Sequence, residues 1–177
     1  MEMKRGAKKS SGLSWDQYFI DITEQVAKKS KDPSTKTGCV IVDSKRRPVS
    51  FGYNGFISGC DEAKMTWERP MKYHLVLHDI MNAILFAKRD LEGCTVYGTY
   101  APCENCLKYS LQSGIKRIIY KYPVLKSKAN NDSKSMTTQE TNEAITRLLQ
   151  SVPGVECRNV NGKSYLEEIW GKKIPKF

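Results

Sequence analysis

Three residues of this 177-residue chain have the types and spacing to hold a metal ion: His78 in LHDIMNAI, and Cys103 and Cys106 in PCENC. One imidazole and two thiolates leave a fourth tetrahedral position for water, which is the catalytic rather than the structural type of zinc site. A Cys-x-x-Cys alone reads equally well as a redox dithiol or as two core cysteines. Its surroundings favour a metal. Pro102 stands directly before Cys103, a strand pattern leads into the motif, a helical pattern follows it, and His78 opens another helical pattern upstream. Two helix N-termini aimed at one point concentrate backbone donors there, and such a field favours thiolate. His74 has no partner at ligand spacing and is expected to be structural.

The elements that must position these residues can be read from periodicity. Trp15 to Ser30 places Tyr18, Phe19, Ile22 and Val26 at near-helical spacing behind Ser14 as N-cap, and Asp32-Pro33 ends it. Gly38 to Asp43 (GCVIVD) and Val49 to Tyr53 (VSFGY), joined by SKRRP, form a hairpin. An irregular stretch runs to about Tyr73. His78 to Lys88 is helical, Cys94 to Thr99 a strand, Cys103 to Ser113 a helix stopped by Gly114, and Lys116 to Tyr120 a strand. Residues 121 to 138 are polar and loop-like, Glu140 to Gln150 is a further helix, and Val155 to Arg158 a last strand. Helices between strands, after an initial hairpin, argue for an α/β sandwich on a mixed sheet.

Composition narrows the class. Lys and Arg number 29 against 19 Asp and Glu, a net charge of +10. Residues 1–14, 121–134 and 171–177 carry +3 each, so the remaining body nets +1. A surface that tracks nucleic acid needs its bases gathered on one folded face, so nucleic-acid binding or editing is the disfavoured reading. We expect a basic N-terminal tail (1–14), one domain (15–170) with a polar loop at about 121–138, and a basic C-terminal tail (171–177). No apolar run approaches the roughly 18 residues of a membrane span. Six irregularly spaced cysteines do not suit a disulfide scaffold, so a cytoplasmic location is expected.

The segments SKDPSTKTGCVIVD (30–43), GYNGF followed by GCD (52–61), HDIMNAI (78–84) and PCENC (102–106) together resemble the deoxycytidylate deaminase branch of the zinc-dependent cytidine deaminase superfamily. The resemblance covers roughly residues 15–157. It implies a three-layer α/β/α fold with about five strands and helices on both faces. It implies one Zn2+ held by His78, Cys103 and Cys106 plus water, and conversion of dCMP and water to dUMP and ammonia. Homo-oligomers, and control by a deoxynucleoside triphosphate accompanied by Mg2+, follow by the same analogy. For the substrate it implies Asn54 at the deoxyribose, Gly52 and Gly55 admitting the nucleotide to the backbone, Lys29 and Lys31 near the phosphate, and Ala101 with Tyr120 to Tyr122 at the pocket wall. Each also has a plain structural reading: an Asn-Gly turn, a solvated helix end, core aromatics.

One position departs from the family pattern. The signature is H-x-E followed by P-C-x-x-C, the Glu moving protons between water, base and leaving amine. Here that position is Ile80. Isoleucine carries no proton, and general acid/base catalysis is worth about two to four orders of magnitude. Asp79 is the nearest substitute, but successive helical residues point about 100° apart and Asp is one methylene shorter than Glu. Glu104, between the two cysteines, is expected to face away. Ile57-Ser58 stands where the family usually has Pro-Arg, which weakens inheritance of the triphosphate site. The expectation is a zinc-binding homologue with impaired turnover that binds a deoxycytidine nucleotide, or a partner such as an active paralogue, as a regulatory subunit. The alternative is an active dCMP deaminase with another proton shuttle.

Overall fold

The structure, a computed structural model, describes residues 12–123 and 138–177. Helix α1 (Trp15–Ala27) begins where expected, Ser14 Oγ accepting the Gln17 amide at 3.1 Å, and ends one turn earlier than its pattern suggested. The hairpin follows as β1 (Gly38–Val42) and β2 (Pro48–Tyr53), antiparallel, with an irregularity at Ile41/Val42. β1 is buried along its whole length, and its side chains alternate between layers. Cys39 and Ile41 enter one core; Val40 and Val42 enter the other with Phe19 and Ile20.

After α3 (Asp79–Ala87) comes β3 (Thr95–Tyr100), antiparallel to β1. α4 (Glu104–Gln112) carries the chain to β4 (Arg117–Tyr122), and α5 (Thr138–Ser151) precedes β5 (Glu156–Asn159); these two joins are parallel. Strand order is β2-β1-β3-β4-β5. Residues of α3, α4 and α5 share the core cluster of one face, and α1 covers the other. This is the expected three-layer sandwich on a mixed five-stranded sheet.

Two glycines set how closely the layers approach. A Cβ on Gly38 would lie 2.3 Å from the Thr23 carbonyl oxygen of α1, and one on Gly52 would lie 2.1 Å from that of Asp79 on α3. Only a residue without a side chain lets both helices sit this near the sheet.

Three elements were not anticipated. The irregular stretch contains a 3-10 turn (Glu62–Lys64) and a single-turn helix α2 (Lys72–Leu75), both too short to show a period. Near the C-terminus, α6 (Tyr165–Trp170) is opened by a capping box in which Ser164 and Glu167 each bond the other's backbone amide. Of the polar stretch, Lys121 and Tyr122 end β4 and Thr138 begins α5; residues 124–137, like 1–11, lie outside the described residues. The end of the chain packs back on α5: Gln150 Nε2 donates to the Pro175 carbonyl at 2.8 Å, and Arg147 lies over the Phe177 ring. Among the described residues no helix is long and apolar enough to cross a membrane.

Candidate functional site

His78 is the N-cap of α3 and Cys103 the N-cap of α4, both in extended backbone and neither using its side chain as a cap. Cys106 lies in the first turn of α4, buried in the core cluster that also holds Leu107 and Ile80. The helix starts converge, so the ligand atoms of His78, Cys103 and Cys106 all lie within 4.8 Å of one another. His78 Nδ1 is 3.3 Å from the Cys103 sulfur and 3.4 Å from the Cys106 sulfur. Tetrahedral zinc, with Zn–S about 2.3 Å and Zn–N about 2.0 Å, separates sulfur from nitrogen by about 3.5 Å. The donor set and spacing therefore fit such an ion.

The three groups shift one another's protonation. Hydrogen bonding from Cys106 and from His78 pulls the Cys103 thiol down despite burial, while its bond to Cys103 and burial push Cys106 up. The Cys103 contact in turn raises His78. Metal binding requires both sulfurs as thiolates and so displaces protons.

Position 80 does not contribute to this group. Ile80 is 2% exposed and packs in the core cluster that also contains Cys39, Ala83 and Cys106. Asp79 is buried too. Burial pushes its carboxyl up to about 6, against the lowering influence of His78, the Ile80 amide and the Thr37 hydroxyl. Neither Asp79 nor Glu104 joins the group of mutually close ligand atoms.

The residues expected at the nucleotide fall into two sets. Lys29, Lys31 and Gly55 line one concavity with Tyr53, Phe56 and Trp67; Lys31 there pairs with Glu62 at 2.5 Å. Asn54, 6% exposed, points inward instead. Its Nδ2 donates to Asp32 and to the Thr35 carbonyl, both at 3.0 Å, and its Oδ1 accepts the Thr37 amide at 2.8 Å. Gly52 faces α3, and Gly55 exchanges backbone hydrogen bonds with Leu77, the residue before His78. Ala101 is buried, its amide donating to the Tyr122 carbonyl. Tyr122 borders a second concavity with Lys28, Lys36 and Tyr100, while Tyr120 is fully buried.

Sequence reasoning missed what steadies Asn54. Lys72 of α2, 6% exposed, reaches Asp32 at 2.5 Å and Ser34 Oγ at 2.8 Å. Burial would raise the Asp32 carboxyl, but the Lys72 contact and the Ser34 and Thr35 amides hold it below its ordinary value. Lys72, Asp32, Asn54 and Thr37 thus run from α2 to the carboxylate of Asp79. Lys72 is 40 residues from Asp32, in a segment without periodicity, so no local pattern linked them.

The three-layer fold and the His/Cys/Cys group are those of the zinc-binding deaminases, and comparison with known proteins agrees. The sequence model of the cytidine and deoxycytidylate deaminase zinc-binding region matches residues 13–122. A deaminase of Aliivibrio fischeri, uncharacterized and from the region 3' of luxG, is 46% identical over 104 residues, 59% of this chain and 70% of its own. The deoxycytidylate deaminases of Mus musculus and Homo sapiens are 33% and 34% identical, covering 88% and 85% of this chain and 85% and 82% of their own. In fold it is similar to the dCMP deaminase of cyanophage S-TIM5 in complex with dCMP and dUMP, at TM-score 0.58 and 23% identity, over 81% of this chain and 95% of that one. The chain belongs to the deoxycytidylate deaminase family of zinc-binding cytidine deaminases.

Proposed function

We propose that this family member holds one zinc ion through His78, Cys103 and Cys106 and binds a deoxycytidine nucleotide without appreciable turnover, acting as a nucleotide-binding or regulatory subunit. The observation that carries the reading is Ile80: the family's proton-transferring position is apolar, buried and part of the core. When bound, zinc would supply a Lewis acid that activates water toward the amino-bearing carbon of the pyrimidine. The rest of the reaction needs a side chain that carries a proton to the ring nitrogen and the departing amine. His78, Cys103 and Cys106 are committed to the metal, and Ile80 has no proton to give.

The concavity of Lys29, Lys31, Tyr53 and Phe56 supports nucleotide binding, since it offers cations for a phosphate beside aromatic rings. The nearly neutral body leaves no reason to invoke nucleic acid. Six free cysteines suit a reducing, cytoplasmic setting. Assembly with copies of itself or with an active relative is part of the reading, supported by the exposed Leu85 and Phe86 of α3.

A second reading, an active enzyme with Asp79 as the shuttle, has one observation behind it: a carboxyl pushed up to about 6 is near the range useful for acid/base work. Against it, Asp79 accepts from Thr37 and the Ile80 amide and stands apart from the metal group. Assaying the zinc-loaded wild type together with Asp79→Asn separates the two. Dependable dUMP formation that disappears in Asp79→Asn would establish the second reading. No dUMP from either supports the first.

A further inference from the structure

Pro102 leads directly into the metal group. It lies between the end of β3 and the N-cap Cys103, and its carbonyl belongs to the peptide that Cys103 completes. That carbonyl is held from an unexpected direction. Tyr165, the first residue of α6, is 1% exposed and donates its phenol O–H to the Pro102 oxygen at 2.8 Å. Tyr165 lies outside residues 13–122, the span that matches the family. We propose that Tyr165 is a positioning residue for the metal loop, fixing the Pro102–Cys103 peptide and with it the place of the Cys103 sulfur. The inference rests on the zinc reading given above.

Three features make α6 a firm platform for this contact. The Ser164–Glu167 capping box sets the helix start, so Tyr165 emerges at a defined angle. Glu168 accepts from the Tyr120 phenol at 2.8 Å and from Asn159 Nδ2 at 2.6 Å, tying the helix to β4 and β5. Trp170 Nε1 donates to Thr146 Oγ1 at 2.8 Å, tying its far end to α5. The Tyr165 ring also packs edge-on against Tyr120, centroids 5.5 Å apart, a contact that restrains its rotamer independently of the hydrogen bond. A peptide plane is rigid. Holding its carbonyl therefore limits the rotation by which Cys103 Sγ could leave the 3.3 Å contact with His78. Groups that orient a metal ligand from behind commonly change affinity by about 10–100-fold when removed. Tyr165 acts through backbone and not on the sulfur itself, so the lower end applies.

The test compares the full-length chain with Tyr165→Phe, which removes one oxygen atom, and with Trp170→Phe, which loosens the same helix without touching Pro102. Zinc affinity is read by competition with a chromophoric chelator, and ligand geometry by the visible absorption of the Co2+-substituted proteins. The expected result is a folded Tyr165→Phe with zinc affinity about tenfold weaker and altered cobalt bands, while Trp170→Phe melts lower yet keeps wild-type affinity and bands. Equal affinity in Tyr165→Phe and wild type would overturn the inference while leaving the zinc reading intact. So would equal weakening in both variants, or failure of Tyr165→Phe to fold, since either makes Tyr165 a determinant of the fold alone. Wild type that takes up no zinc would remove the metal reading and this inference together.

Discussion

His78 and Ile80 stand two residues apart at the start of α3 and meet different surroundings. His78 projects from the helix cap toward the sulfurs of Cys103 and Cys106, whereas Ile80 is buried in the core cluster that also holds Cys39 and Ala83. On the proposed reading, holding a metal and moving a proton are separable properties of one helix start. The ligand geometry depends on where two helices begin, which strand ends, caps and glycines fix. Proton transfer depends on a single side chain that the fold does not need. An apolar residue at position 80 packs well and leaves the caps in place, so zinc content and stability alone would not reveal a loss of turnover.

The largest expected effect breaks the metal side. Cys106→Ser, or Cys103→Ser, should reduce zinc from about one per chain to essentially none, measured by metal analysis after dialysis. Next comes repair of the proton side: Ile80→Glu in the zinc-loaded chain should raise dUMP formation by about two to four orders of magnitude over its parent. The same substitution places a carboxyl in the core, so a lower melting temperature should accompany the gain.

Third is the scaffold between the two sides. Lys72→Met removes one partner of a buried ion pair and should cost about 3–5 kcal/mol in chemical denaturation. The pair also has a pH signature. Because the folded Asp32 carboxyl sits below its ordinary value, its contribution is present above the unfolded value, near pH 4, and is lost as pH falls through the folded one. Wild type should therefore lose its stability advantage over Lys72→Met in an acid titration below about pH 4. The smallest effects distinguish the two faces. Gly38→Ala and Gly52→Ala should each cost about 1–3 kcal/mol by forcing a helix off the sheet. Only Gly52→Ala, which displaces α3 and thus His78, should also weaken zinc uptake.

Much of this was legible in the sequence because its causes are local. The cap residues, the β1–β2 hairpin and the strand before PCENC are set by neighbours a few positions away, so the ligands could be placed at helix starts from pattern alone. The inward turn of Asn54 was not legible. GYNG looks the same whether its amide meets a nucleotide or a buried aspartate, and Asp32 is partnered by a lysine 40 residues on. Helix α6 was legible in principle from Ser164-x-x-Glu167, but one and a half turns carry too little periodicity to stand out. Its tie to Pro102 is a contact across 63 residues, which no spacing rule anticipates.

The most direct test of the central claim is a dCMP deamination assay on the purified, zinc-loaded wild-type chain beside Ile80→Glu, with ammonia and dUMP both quantified. The expected result is a chain with about one zinc and no product above background, with product appearing when the glutamate is supplied. Sustained dUMP formation by the unaltered chain, in step with its zinc content, would contradict it.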